Sequence, residues 1–185
     1  MSPASRCSQP ASLALLTLGH PLLRQRSQVV SDPQDPPVQR FIDDLLTLMT
    51  TAHGVGIAAP QVGWAARIVV VASRPTLRYP DAPTMAPTVL INPRLVALSD
   101  ETENGWEGCL SVPGLRGQVP RAAEVEVAYL DRWGQPRCQV WQGFIARIVQ
   151  HEYDHLEGTV FLDRLKEGTD LLSEEAYQRL ELHSL

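Results

Sequence analysis

Apolar side chains recur every three or four residues in two long stretches of the chain, which is the spacing of an amphipathic helix. In the first stretch they are Val38, Phe41, Ile42, Leu45, Leu46 and Met49. We predict a helix over 38–52, with Pro37 in its first turn and Gly54 placed to cap its end. The second stretch predicts a helix over 143–156, which Gly158 ends.

A weaker helical pattern near the C-terminus predicts a short helix from about Ser173 to Leu182, with Ser173 as its N-cap. Apolar or alternating runs in the middle of the chain predict strands at 67–72, 88–92, 95–98, 124–129 and 137–142. We expect the last two to form a hairpin, and the proline-rich residues 74–87 to form a surface loop. Strands and helices that do not alternate regularly indicate an α+β fold rather than a doubly wound α/β fold.

The length of 185 residues predicts one domain. We expect this domain to cover 13–185, after a flexible extension at residues 1–12. The first 31 residues carry no acidic side chain, so a signal or transit peptide is the alternative interpretation of this end.

The net charge of −5, with no basic stripe, argues against DNA or RNA as a partner. No run approaches the roughly 20 apolar residues of a membrane helix, so no membrane partner is expected. Three widely spaced cysteines indicate reduced thiols rather than a disulfide framework. These features favour a bacterial cytoplasm, with an organelle matrix as the second possibility.

The candidate chemistry lies on the predicted helix 143–156. His151 and His155 are four residues apart, so they project from one helix face and can bind one cation. Glu152 flanks that face, which is where the HExxH pattern of metal hydrolases places a general base. A catalytic metal needs a third protein ligand and a position for water. From its place in the sequence alone, Cys109 could be this ligand or a buried, inert thiol.

Three motifs in order resemble those of the peptide deformylase family, whose members are metal hydrolases that remove the formyl group from N-formylmethionine. The motifs are Gly54–Gln61, with Ile57 where leucine is commoner, Glu107–Ser111 and Gln150–His155. The similarity covers roughly residues 14–170. It implies an α+β fold in which short, mostly antiparallel strands surround a central metal-binding HExxH helix, with an N-terminal helix and a short C-terminal helix.

The resemblance also implies roles for individual residues. It assigns the metal to Cys109, His151 and His155, with water in the fourth position, and general base and acid catalysis to Glu152. The Gln61 amide and the Leu110 backbone N–H would stabilise the oxyanion. Substrate contacts would come from Gly56, Val55, Phe144, Ile148 and Arg116, and an ion pair between Glu107 and Arg121 would support the second motif.

Two further positions are open at this stage. Arg147 occupies a site where some relatives have an apolar residue, which changes the expected methionine pocket. Asp154 could brace a histidine or the backbone near the metal, or it could be an ordinary surface carboxylate.

The implied substrates are N-formylmethionyl peptides on nascent chains. The implied cofactor is one divalent metal ion, with Fe²⁺ expected natively and Zn²⁺, Ni²⁺ or Co²⁺ as alternatives. Residues 170–185 carry Asp170, Glu174, Glu175 and Glu181 against Arg179, so this tail argues against docking on ribosomal RNA.

Two other functions are compatible with the motifs. One is a zinc endopeptidase, which would take its third ligand from a His or Glu downstream of the helix. The other is a metal-stabilised binding protein without activity, although neither Glu152 nor Gln61 is needed merely to hold a metal.

Overall fold

The computed structural model describes residues 13–75, 82–168 and 171–183. The predicted extension 1–12 and part of the predicted loop 74–87 lie outside these ranges. The three predicted helices are confirmed: α1 is Pro36–Thr51, α2 is Gly143–Leu156 and α3 is Glu174–His183. As predicted, Ser173 caps α3, because its hydroxyl accepts a hydrogen bond from the Ala176 N–H at 3.1 Å.

The end of α1 differs from the prediction in one detail. His53, not Gly54, adopts the left-handed conformation, with φ of 54°. The Gly54 N–H donates to the Met49 carbonyl at 2.9 Å, which closes the six-residue ring typical of a Schellman cap. Gly54 therefore contributes a backbone donor rather than a left-handed backbone.

The described strands form two antiparallel sheets. In chain order they are β1 Gly56–Ala58, β2 Ile68–Ser73, β3 Met85–Leu98, β4 Thr102–Cys109, β5 Val112–Ala122, β6 Glu124–Leu130, β7 Pro136–Gln142 and β8 Leu171–Ser173. The larger sheet has the order β1-β2-β3-β6-β7 and the smaller one β4-β5-β8. The architecture is the predicted α+β fold with antiparallel strands.

The strand predictions were confirmed in part. The β6–β7 hairpin forms as expected, with Val127 opposite Gln139. The prediction of two strands separated by Pro93 was wrong, because β3 runs through this point as one strand. Its pairing with β6 shifts register between Ile91 and Arg94, and Asn92 has a positive φ of 52°. This irregularity allows the strand to pass a proline that has no N–H to donate.

The larger sheet carries a helix on each face, and this arrangement positions α2. Ile68 and Val70 of β2 lie in one core cluster with the apolar face of α1. Val69 and Val71 lie in a second cluster with α2. The apolar run in β2 is buried on both sides for this reason. Helix α2 also contacts β5 of the smaller sheet, so it lies where the two sheets approach each other.

Candidate active site

Three side chains that could bind a metal ion converge at the junction of α2 and the β4–β5 hairpin. Cys109 is the last residue of β4, and His151 and His155 project from one face of α2. One ligand atom from each residue lies within 4.8 Å of the others. The Cys109 Sγ is 3.2 Å from the His155 Nε2. One thiolate and two imidazoles at this spacing fit a divalent ion, and three donors leave one coordination position open.

The Glu107 carboxylate fixes the orientation of His151. Its Oε2 is 2.8 Å from the His151 Nδ1, so the other ring nitrogen is available as a ligand. The predicted ion pair with Arg121 forms two hydrogen bonds, at 2.8 and 2.9 Å. Burial alone would raise the pKa of Glu107, but Arg121 and His151 hold it well below its ordinary value. The carboxylate is therefore charged and can accept a hydrogen bond from a protonated Nδ1 of His151.

The two histidines also change the pKa of Cys109. Burial alone would raise the pKa of the Cys109 thiol, but His155 and His151 hold it well below its ordinary value. Since the thiolate is the form that binds metals, this environment favours ligation. Cys109 therefore has the surroundings of a candidate metal ligand.

Glu152 lies beside the three ligands and is buried, with 4% of its surface exposed. Within the described residues its Oε2 has no hydrogen-bond partner. Burial raises the pKa of the Glu152 carboxyl to about 7. A carboxyl with these properties can gain and lose a proton near neutral pH.

Gly56 has a structural reason to be glycine. A Cβ at this position would lie 2.3 Å from the Glu152 Oε1, a distance that no real contact permits. From the sequence we expected Gly56 to let the substrate approach closely. The structure adds a second reason, because the Glu152 carboxylate also lies close to the Gly56 backbone. Strand β1 and helix α2 can meet at this point only because no side chain intervenes.

Gln61 is held with its amide nitrogen toward Cys109. Its Oε1 accepts a hydrogen bond from the Ala58 N–H at 2.8 Å, and its Nε2 lies 3.5 Å from the Cys109 Sγ. The same Nε2 donates to the Ser111 hydroxyl at 3.2 Å. Ser111 is fully buried, and sequence reasoning assigned it no role although it belongs to the second motif. Leu110 directly follows Cys109 and lines the same cleft.

The predicted substrate residues line this cleft as well. They are Val55, Gly56, Phe144, Ile148 and Arg116. Arg116 differs from the others because its guanidinium is 2% exposed and is paired with Glu174 at 2.8 Å. Glu174 also lines the cleft, and sequence reasoning did not include it. Only the pairing of β5 with β8 brings these two residues together.

Arg147 cross-links α2 to the β4–β5 hairpin. It donates to the backbone carbonyls of Glu103 and Val119, both at 2.6 Å, and of Gly105 at 3.3 Å. It also contacts the Glu107 Oε1 at 3.0 Å. The side chain is therefore anchored in the wall of the cleft, and sequence reasoning did not identify this function.

Asp154 is buried, so its interpretation as a surface carboxylate was wrong. Among the described residues its carboxylate forms no hydrogen bond with a histidine or the backbone, but pairs with Arg121 and Arg164, both at 2.6 Å. Because Arg121 also binds Glu107, Asp154 supports the metal site through this arginine.

Comparison with known proteins agrees with this geometry. The family description "Polypeptide deformylase" matches residues 12–170. "Peptide deformylase 2" of Nostoc sp. is 50% identical over 171 residues, which are 92% of this chain and 96% of the relative. "Peptide deformylase 1" of Bordetella pertussis is 44% identical over 84% of this chain and 89% of the relative.

Solved structures are similar along most of the chain. The crystal structure of a Met-Ala-Ser-bound class I type b peptide deformylase from Acinetobacter baumannii has a TM-score of 0.83 and 44% identity, covering 85% of this chain and 100% of that one. The crystal structure of a peptide deformylase from Synechococcus elongatus in complex with actinonin has a TM-score of 0.75 and 38% identity. The match covers 91% of this chain and 86% of that one. The three motifs, the fold and these relatives agree, and the chain belongs to the polypeptide deformylase family.

Proposed function

We propose that this deformylase uses Cys109, His151 and His155 to hold a divalent metal ion, and Glu152 to move the proton during hydrolysis. Members of the family are metal-dependent and remove the N-formyl group from nascent peptides. The observation that carries the residue assignment is the convergence of the three ligand atoms within 4.8 Å. A downstream ligand, as a zinc endopeptidase would use, is not needed for this set.

When bound, the ion supplies Lewis-acid activation of a water molecule that attacks the formyl carbon. The unpartnered Glu152 Oε2 is positioned to accept the proton released from that water. The same carboxyl then delivers the proton to the amine of the departing peptide. Its pKa of about 7 suits both transfers near neutral pH.

The oxyanion that forms on the formyl oxygen needs donors that are already in place. We assign this role to the Gln61 amide nitrogen and the Leu110 backbone N–H. Ala58 and Ser111 hold the Gln61 amide in one orientation. The methionine side chain would lie against Val55, Phe144 and Ile148. An apolar pocket discriminates between substrates by only about 1–3 kcal/mol for each methylene by which their side chains differ, so we expect other apolar side chains to be accepted in place of methionine.

The substitution Glu152→Gln tests the mechanism. We expect the rate of formate release from formyl-Met-Ala to fall roughly 10²- to 10⁴-fold, because the amide cannot accept the proton. Metal content should stay unchanged, since Glu152 is not a ligand. Glu101→Gln, an exposed carboxylate on the surface, is the matched control and should retain wild-type turnover.

Three outcomes of the same assay would contradict the proposal. Wild-type turnover in Glu152→Gln would remove the proton-transfer role. Cleavage of internal peptide bonds without formate release would favour an endopeptidase. Metal binding with no turnover of any peptide would favour a binding protein.

For the native ion we propose Fe²⁺. Imidazole and thiolate donors suit iron, nickel, cobalt and zinc, so the donor set alone does not separate them. We expect higher turnover after anaerobic loading with Fe²⁺, Ni²⁺ or Co²⁺ than with Zn²⁺. Equal turnover with all four metals, at equal metal content, would contradict this prediction.

The protein's surroundings follow from the charge of its C-terminal tail and from its relatives. We propose a bacterial cytoplasmic enzyme that does not dock on ribosomal RNA through residues 170–185, because this tail carries four acidic side chains and one basic side chain. Within the part of the chain that the structure describes, no helix has the length and apolar character needed to cross a membrane.

A further inference from the structure

One residue that follows the family match, Glu174, lines the cleft. We call β8 and α3 together, residues 171–183, the C-terminal segment. The polypeptide deformylase description ends at residue 170. Beyond that point β8 pairs with β5, so that Leu172 lies opposite Arg116. The C-terminal segment is therefore joined to the strand that follows the Cys109 turn.

Side chains of the C-terminal segment surround the Arg116 guanidinium. Glu174 accepts hydrogen bonds from its Nε at 2.8 Å and its Nη2 at 3.4 Å. The ring of Tyr177 lies 5.2 Å from the Arg116 Cζ. Tyr177 in turn contacts Trp106 of β4, with ring centroids 5.3 Å apart. These contacts hold Glu174 at a defined position beside the cleft.

Arg116 and Glu174 face solvent to different extents. The Arg116 side chain is 2% exposed, and the Glu174 side chain is 21% exposed. A bound peptide would therefore meet the carboxylate more than the guanidinium. Gly108 contributes to this arrangement, since a Cβ there would lie 2.9 Å from the Arg116 Cζ.

The other charged groups of the cleft lie deeper. Glu107 and Arg147 form a buried ion pair, and Glu152 is buried beside the predicted metal ligands. His53 also lines the cleft and is exposed, and it places an imidazole rather than a carboxylate at the outer part. Glu174 is the carboxylate of the cleft lining that is not buried. Its ion pair with Arg116 is neutral overall, but the guanidinium is the more buried partner, so the pair presents its negative end to the outer part of the cleft.

We infer that Glu174 makes the outer cleft select basic over acidic side chains in the residues that follow formylmethionine. This inference rests on the proposed deformylase function and adds a specificity determinant from the C-terminal segment. Glu174 is not among the residues proposed to contact the reacting atoms. Its effect should therefore appear in KM more than in kcat, as expected for binding that is equal in the ground and transition states.

The test compares three amidated peptides: formyl-Met-Lys-Lys, formyl-Met-Glu-Glu and formyl-Met-Gln-Gln. Amidation removes the terminal carboxylate, which would otherwise add a charge. In the wild type we expect kcat/KM to be higher for the lysine peptide than for the glutamate peptide. Glu174→Gln should reduce this ratio roughly fivefold, as Coulomb interactions over several ångströms of partly solvated space imply. The ratio should also shrink as ionic strength rises.

Two variants separate the charge of Glu174 from its place in the fold. Glu174→Asp keeps the charge and should retain most of the wild-type preference. Glu175→Gln removes a neighbouring exposed carboxylate that does not line the cleft and should leave the ratio unchanged. Thermal unfolding of each variant shows whether the C-terminal segment stays folded.

The outcomes distinguish failure of the charge selection from failure of the deformylase function. An equal ratio in wild type and Glu174→Gln, with the glutamine peptide still hydrolysed, overturns the charge selection alone. Loss of the preference in Glu174→Asp as well as in Glu174→Gln also overturns it. If wild type hydrolyses none of the three peptides, the deformylase function fails and the inference fails with it.

Discussion

Glu107 is bound by two arginines from different elements, Arg121 on β5 and Arg147 on α2, while its second oxygen faces His151. Arg121 also binds Asp154, one turn of α2 beyond His151. A charge buried at this depth needs such partners, because desolvation without them would neutralise or expel it. The orientation of one predicted metal ligand therefore depends on an ion network whose other members are not predicted ligands.

Arg121→Ala should weaken metal binding. The substitution leaves Glu107 with Arg147 as its arginine partner, so the carboxylate is held less firmly against His151. Loss of such a supporting group typically costs about 10- to 100-fold in metal affinity. Competition with a chelator, followed by measurement of retained metal, checks this prediction.

Arg164→Ala is the matched control for that experiment. Arg164 binds Asp154 but makes no contact with Glu107, and its side chain is 50% exposed. Its loss should leave metal retention near the wild-type value. Unchanged metal content in Arg121→Ala would show that Arg147 alone suffices to position Glu107.

The sequence identified the residues of the site that belong to short, ordered motifs. The two histidines and Glu152 follow from helical spacing, and the family resemblance added Cys109 and Gln61. Arg147 was not recognised as a cross-link because its partners are backbone carbonyls, which no residue pattern marks. Ser111 was overlooked because the sequence does not show whether a serine is buried or exposed.

At the scale of elements, periodic segments were predictable and irregular ones were not. Helices α1 and α2 and the β6–β7 hairpin have clear 3.6- or 2-residue periods. Strands β4 and β5 were missed because glycine and proline interrupt them, as in the stretch Val112–Arg121. Gly105 and Gly117 allow close approaches: a Cβ at Gly105 would lie 2.7 Å from the Arg147 Cζ, and one at Gly117 would lie 2.8 Å from the Leu165 Cδ2.

The contact between Arg116 and Glu174 could not be predicted for a different physical reason. The two residues are 58 positions apart, and they meet only through the register of β5 with β8. Strand register depends on how whole sheets pair, which local patterns do not determine. The contribution of Glu174 to the cleft therefore becomes visible only in three dimensions.

In the whole molecule, the candidate metal site joins two parts with separate cores. The histidines lie on α2, whose apolar face packs against the larger sheet. Cys109 lies at the turn of the smaller sheet, where Val112, Val119, Val160 and Phe161 form their own cluster. Each part has apolar contacts of its own, so a metal would connect two elements that are already folded.

Removal of the metal should therefore lower stability without unfolding the protein. At a free metal concentration of 100 times Kd, binding stabilises the folded state by about 2.7 kcal/mol, which corresponds to roughly 5–10 °C in Tm for a chain of this size. Scanning calorimetry before and after chelation measures the shift. Hydrogen exchange should rise mainly at the β4–β5 hairpin, because the metal joins that hairpin to α2. Equal Tm and equal exchange in both states would mean that the three side chains do not share an ion.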